Sequence, residues 1–214
     1  MKRKMVLFFA VFLIAGAALS HSAKAAGIEI TPFAGYTGGG EFTASGDSGT
    51  GTTTSTTLKV DETSSYGIMV DINQPDGSQI ELYYSRQPTR LKAQNDLFSG
   101  TPLFDLDIDY IHIGGTYGTA TGKVKPFVVG TLGATYMSPK GEGLDSVTKF
   151  SLSLGGGVKL FLTDHVGLRL EGRWFGTFFD GSGSAFCSNG SCAIKVQGDV
   201  FSQFVANAGL ILAF

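Results

Sequence analysis

Eight segments of this chain alternate apolar and polar residues with a period of two, the repeat of a β-strand whose two faces meet different surroundings. In the last segment, Leu210, Leu212 and Phe214 share one face, while Asn207 and Gly209 share the other. The segments cover residues 28–37, 65–73, 79–87, 105–117, 125–137, 149–162, 166–178 and 196–214. The pattern predicts an all-β protein.

The connectors between these segments alternate strictly between long and short. The short ones are residues 74–77, 118–122 and 163–165, and the long ones are residues 38–64, 88–104, 138–146 and 180–195. Barrels of the outer membrane have short periplasmic turns and longer outer loops, and about 9 to 11 residues cross the bilayer as a tilted strand. The sequence therefore predicts an eight-stranded, antiparallel, up-and-down transmembrane β-barrel. A further hairpin within residues 38–64 stays open, although that segment is too polar for lipid.

Closure of the barrel follows from the lack of hydrogen-bond partners in lipid. An open sheet edge in hydrocarbon costs several kcal/mol per unpaired group, so the last strand must pair with the first. The apolar stripe then faces lipid, and Phe214 lies at the periplasmic interface, where aromatic girdles sit. No apolar run of 18 or more residues follows residue 26, which excludes a helical membrane protein.

The amino-acid composition is consistent with a protein whose surface contacts lipid. Charged residues make up 16% of the chain, against about 25% in an average soluble domain. The net charge of −2 provides no basic footprint for nucleic acid. We expect outer-membrane lipid as the surroundings, no nucleic-acid partner, and a monomer.

The first 26 residues are predicted to be a cleavable secretory signal peptide. Basic residues 2–4 precede an apolar run at 5–19, and a small-x-small cleavage motif follows at 23–25. An uncleaved anchor is the alternative. The barrel domain then comprises residues 27–214.

The face opposite the apolar stripe carries charges of both signs. A barrel of about eight strands encloses a lumen that side chains fill, and an isolated buried charge is costly. We therefore predict a salt-bridged interior rather than an open channel, in preference to a cation site on Asp105, Asp107 and Asp109. The predicted network consists of Asp71, Glu81, Asp107, Asp109, Lys159, Arg169, Glu171 and Arg173. The pairs within it depend on the shear of the barrel, which the sequence leaves open.

Three stretches resemble the OmpA/OmpX-like superfamily of small outer-membrane β-barrels. They are GVKLFLTDHVGLRLEGRWF at 157–175, KPFVVGTLGATYMSP at 125–139 and IEITPFAGYTGGGEF at 28–42. The resemblance covers essentially the whole chain after the predicted signal peptide and implies the outer membrane of a Gram-negative cell. It also implies insertion by the outer-membrane assembly machinery, which reads a C-terminal aromatic strand. The residues of that assembly signal are Phe204, Leu210, Leu212 and Phe214.

Two cysteines, Cys187 and Cys192, lie in the motif CSNGSC within the seventh connector. Because the cell envelope is oxidising, their spacing around the turn-forming pair Asn189-Gly190 predicts a disulfide. Two cysteines alone lack the further ligands that zinc requires. We expect no metal site and no cofactor.

Catalysis is not expected. His112 and His165 are the only histidines after the predicted signal peptide, and the pattern places them near the periplasmic boundary and in a periplasmic turn. Neither position suits chemistry on outer-leaflet lipid. The leading hypothesis is a structural or surface-interaction protein with mobile extracellular loops that meet a surface partner. The alternatives are a narrow, porin-like pore for ions or small solutes and, in third place, a lipid-modifying enzyme.

Overall fold

The computed structural model describes residues 27–47, 53–95, 98–118, 122–141, 144–179, 184–188, 191–195 and 200–214. Every regular element within these ranges is a β-strand. They contain no helix with the length and apolar character that a membrane crossing requires. The strands are β1 Ile28–Gly39, β2 Glu41–Asp47, β3 Thr53–Val60, β4 Thr63–Asn73, β5 Gln79–Asn95, β6 Phe98–Gly118, β7 Val124–Lys140, β8 Val147–Phe161, β9 Val166–Phe178, β10 Ser184–Ser188, β11 Ser191–Lys195 and β12 Val200–Ala213.

Eight of these strands close into an antiparallel barrel in the order β5-β4-β1-β12-β9-β8-β7-β6, and β6 pairs back onto β5. The seam between the first and last strands pairs Ile30 with Leu212. Below this pair, Phe214 N donates a hydrogen bond to Ile28 O at 2.9 Å. The predicted eight-stranded barrel is confirmed, and each of the eight alternating segments overlaps one of its strands.

The short connections gather at one end of the barrel. In the turn between β4 and β5, Gly77 has a φ of 86°, which a residue without a Cβ adopts at little cost. Ser78 donates from its side chain (2.7 Å) and its backbone N–H (3.0 Å) to Asp76 Oδ1. These two hydrogen bonds favour the ionised carboxylate and lower the pKa of Asp76. By the rule of short periplasmic turns, this end faces the periplasm.

At the other end, strands continue beyond the barrel. Gly39 and Gly40 have φ values of 82° and 100°, and there the chain leaves β1 for β2. Strand β3 pairs with β2 and then with β5, where Val60 lies opposite Leu91. The segment 38–64, predicted as a long connector, therefore contains a hairpin that extends β1 and β4 without adding a strand to the closed barrel.

The polarity of the two faces inverts along the barrel. Toward the turn end, charged side chains such as Arg169 point inward and leucines such as Leu132 point outward. Toward the extracellular end, Leu91 and Leu106 are buried inside, while Arg90 lies exposed outside. The turn-side part is therefore built for hydrocarbon, and the extracellular extension packs like a soluble barrel in water.

Candidate functional site in the barrel lumen

The lumen near the turn end is crossed by a network of ionised side chains. Asp71 and Glu81 lie directly opposite each other on β4 and β5, a pairing of like charges that is unfavourable by itself. Arg169 on β9 resolves it, because Nη1 donates to Asp71 Oδ2 at 2.8 Å and Nη2 donates to Glu81 Oε2 at 2.5 Å. Strand β9 stands four positions from β5 in either direction around the ring. The contact therefore spans the full width of the barrel.

Further bonds extend this network along β9. Glu171 accepts a hydrogen bond from Arg169 Nε at 2.8 Å and another from Arg173 Nε at 2.5 Å. Arg173 Nη2 also donates to Glu81 Oε1 at 2.7 Å. Arg169, Glu171 and Arg173 lie two residues apart on the inward face of β9, so positive and negative charges alternate along the lumen.

Lys159 joins the network from β8. Its Nζ donates to Glu29 Oε2 and Gln79 Oε1, each at 2.6 Å, and to Asp71 Oδ2 at 3.1 Å. In this buried set, three cations face four carboxylates. Removal of one partner from a buried pair leaves an uncompensated charge at a cost of about 3–5 kcal/mol. The network is therefore interlocked: Glu29, Asp71 and Glu81 are paired with cations from strands across the lumen, and Glu171 links Arg169 to Arg173 along β9.

An aromatic layer lies above the charges. The guanidinium of Arg173 lies 4.3 Å from the ring centroid of Tyr83, a cation–π contact. Phe175 stacks on Tyr110 with ring centroids 4.2 Å apart, and the Tyr110 hydroxyl donates to Gln203 Oε1 at 2.7 Å. This layer was not predicted from the sequence, although alternation places Phe175 on the same face as Arg173.

His112 belongs to this buried layer, so it lies in the lumen and not at the membrane interface. The side chain is 2% exposed. Its Nδ1 lies 3.0 Å from Thr131 Oγ1, and its Nε2 lies 2.9 Å from Ser151 Oγ. Its place along β6 is as predicted, nearer to Gly118 at the turn end than to Phe98, whereas the direction of its side chain into the lumen was not predicted from the sequence. His165 is exposed in the turn before β9, as predicted.

Six of the eight residues predicted for the interior charge network meet there, and two do not. Asp107 and Asp109 lie on the outer face of β6. Asp107 pairs with Arg86 and, at 2.8 Å, with Lys140. Asp109 accepts a hydrogen bond from the Tyr84 hydroxyl at 3.0 Å. The six residues within the network are Asp71, Glu81, Lys159, Arg169, Glu171 and Arg173.

The error has a physical reason. Assigning the aspartates inward assumes that polar side chains point inward along the whole strand, whereas the extracellular part of β6 buries Leu106 and Ile108 inside. A signal was present in the sequence, since the face with Asp107 and Asp109 continues to Ile111. One face of a single strand thus changes from acidic to apolar where the surroundings change.

The other predicted sites lie at the surface or outside the described side chains. Cys187 and Cys192 are register partners in the β10–β11 hairpin, but their side chains fall outside what the structure describes, and the disulfide stays a prediction. The residues of the predicted assembly signal all point outward from β12 and the chain end: Phe204, Leu210, Leu212 and Phe214. In the portion of the chain with assigned side-chain positions, no cluster of three or more metal-ligating residues occurs.

Comparison with known proteins supports the architecture. No protein-family model and no curated protein matches this sequence. Among solved structures, OprG, an outer membrane protein from Pseudomonas aeruginosa, has a TM-score of 0.60 at 14% identity, over 90% of this chain and 98% of its own. The outer membrane protein AlkL has a TM-score of 0.58 at 11% identity, over 91% and 93%.

Neisserial surface protein A is a third neighbour, with a TM-score of 0.55 at 16% identity over 87% of this chain and 97% of its own. At such low identities, the shared feature is the fold. The chain thus has the fold of the small eight-stranded outer-membrane β-barrels, as its resemblance to the OmpA/OmpX-like superfamily implied.

Proposed function

We propose that this protein is a closed, non-conducting barrel of the Gram-negative outer membrane that acts through its extracellular surface. The observation that carries the proposal is the charge network of the lumen. Arg169 and Arg173 are among the largest fully buried side chains, and they bond carboxylates on the opposite wall. Ion passage would require these pairs to separate in a low-dielectric interior, where separation is expensive.

The extracellular extension supports the second half of the proposal. Its interior holds a packed apolar cluster that includes Val60, Leu91 and Ile108. This packing holds the hairpin that contains β3 against β5 above the membrane. The barrel thereby presents ordered strands at the cell surface, where a partner molecule would meet them.

A narrow pore for small solutes is the second candidate. It is favoured by two cavities at the turn end, of about 200 Å³ and about 780 Å³, which both include Glu29, Asn73 and Lys125 in their linings. The smaller one reaches Lys159 in the lower lumen. The paired charges above them favour the closed barrel.

We also propose that the chain is not an enzyme and that it binds no cofactor. A lipid-modifying residue must reach the outer leaflet, whereas His112 and its hydroxyl neighbours Thr131 and Ser151 lie in the lumen. We propose insertion by the outer-membrane assembly machinery on the basis of the outward apolar face of β12, which carries Leu210 and Leu212. The protein is then a lipid-embedded monomer.

Single-channel recording tests the closed lumen. Refolded protein in a planar lipid bilayer should show no steady openings, while a known porin added to the same bilayer verifies that openings are detected. Steady wild-type openings whose conductance changes in Arg173→Gln, but not in the outer-face variant Arg90→Gln, would support the pore and refute the closed barrel.

A further inference from the structure

A second cluster of charges lies outside the lumen, on the outer face of β5, β6 and β7. We call it the outer ionic patch and define it as Arg86, Arg90 and Lys140 with Asp105, Asp107 and Asp109. Arg86 Nη2 bonds Oδ2 of Asp107, and Lys140 Nζ lies 2.8 Å from Oδ1 of the same carboxylate. Arg90 Nε lies 3.0 Å from Asp105 Oδ1. Arg86 and Lys140 thus both bind the carboxylate of Asp107.

The central part of the patch is layered, with anions beneath and cations above. The side chains of Asp107 and Asp109 are only 7% and 11% exposed, whereas those of Arg86 and Lys140 are 38% and 56% exposed. An arginine carries five N–H donors and a lysine carries three, so each cation keeps donors beyond those used by its carboxylate. Although charges in the patch balance formally, a group that approaches from outside meets the cations first.

The patch lies at the level where the hydrocarbon ends. Its lower neighbours are Tyr84 and Tyr136, which are aromatic side chains on the outer face, and such residues line membrane interfaces. On β6, the outward position below Asp109 is the exposed Ile111. A two-residue step along a strand is about 6.6 Å. The two central cations, Arg86 and Lys140, therefore lie at the level of the lipid headgroups, while Arg90 and Asp105 lie further toward water.

We infer that the outer ionic patch binds the phosphate groups of lipid headgroups in the outer leaflet. Phosphate is the anion that arginine and lysine recognise through charge-assisted hydrogen bonds. The buried Asp107 holds Arg86 and Lys140 side by side, so that both can donate to one headgroup. The inference rests on the outer-membrane position of the barrel and is independent of whether the lumen conducts.

Native mass spectrometry of the refolded full-length protein in detergent micelles tests this site. The probe is lipid A with both phosphates, and the control ligand is the same lipid after removal of its phosphates. Lys140→Gln should weaken binding of the phosphorylated lipid by about tenfold, which equals about 1.4 kcal/mol, because it removes a charged hydrogen-bond donor to the phosphate. Lys140→Arg should bind like the wild type, because it keeps the charge and the donors.

The matched control is Lys123→Gln, in the turn between β6 and β7 at the opposite end of the barrel, which should leave binding unchanged. Migration of unboiled samples on a gel verifies that each variant folds. Equal binding of the dephosphorylated lipid would show that the acyl chains carry the contact, and it would overturn the proposal. An equal loss in Lys123→Gln and Lys140→Gln would overturn it too, since attraction would then be diffuse.

Discussion

Arg169 contacts three carboxylates, those of Asp71, Glu81 and Glu171, and is 1% exposed. Arg169→Met keeps most of the volume of the side chain but removes the charge. We expect a loss of about 3–5 kcal/mol in the free energy of unfolding, because the carboxylates that remain are buried without their shared cation. Urea titration of folding in phosphatidylcholine vesicles measures this change.

The control for this substitution is Arg90→Met at the extracellular end. Arg90 forms a single pair with Asp105, and both side chains are more than half exposed. Loss of such a pair costs at most about 1 kcal/mol. Similar, small costs for the two variants would mean that the lumen is well hydrated and that its pairs contribute no more than surface pairs.

At the scale of single strands, sequence reasoning succeeds where the surroundings of a strand stay uniform. Strand β9 alternates regularly from Leu168 to Arg173, since one of its faces meets lipid and the other meets the polar lumen, and the predicted faces agree with the structure. Strand β6 crosses from hydrocarbon into water, so its two faces exchange roles near Ile111. A single rule for the whole strand therefore misplaced Asp107 and Asp109.

The pairing of the lumen charges could not be predicted from the sequence, for a different reason. The contact of Arg169 with both Asp71 and Glu81 depends on the stagger of eight strands around the ring. Stagger is set by closure of the whole barrel, and no local pattern encodes it. Six members of the network were predictable from the sequence, whereas their connections were not.

The β10–β11 hairpin provides a prediction at the scale of one element. Cys187 and Cys192 are directly opposite each other, and Cα atoms in such antiparallel pairs are about 4.5–5.5 Å apart, within the range that a disulfide spans. We expect a disulfide that closes a short loop. Peptide mapping of the protein purified without reductant should show both cysteines in one linked peptide.

The control for this prediction is the double variant in which Cys187→Ser and Cys192→Ser remove both thiols. The hairpin forms a sheet separate from that of the barrel. Gel migration of the unboiled barrel should therefore not change, while proteolytic cleavage within residues 184–195 should become faster. Free thiols in the native protein, or loss of the folded barrel in the double variant, would contradict this assignment.

At the scale of the whole molecule, the inversion of polarity defines two stacked compartments. The lower one has an ionic core and an apolar exterior, and the upper one has an apolar core around Leu91 and Ile108 and a charged exterior. The lower compartment buries charged side chains away from hydrocarbon, and the upper one buries apolar side chains away from water. We therefore expect the boundary between them to set the depth of the barrel in the membrane.

Spin labels on the outer face of β6 test the position of this boundary. Labels are attached at single cysteines placed at Asp105, Ile111 and Ile113, in a background in which both native cysteines are serine. Because oxygen concentrates in hydrocarbon and a charged nickel complex stays in water, we expect oxygen to relax the labels at Ile111 and Ile113, and nickel to relax the label at Asp105. Leu132, outward on β7, provides a reference site within hydrocarbon. Nickel access at Ile111 equal to that at Asp105 would place the boundary closer to the turns. The outer ionic patch would then lie in open water, and its proposed contact with lipid phosphate would be impossible.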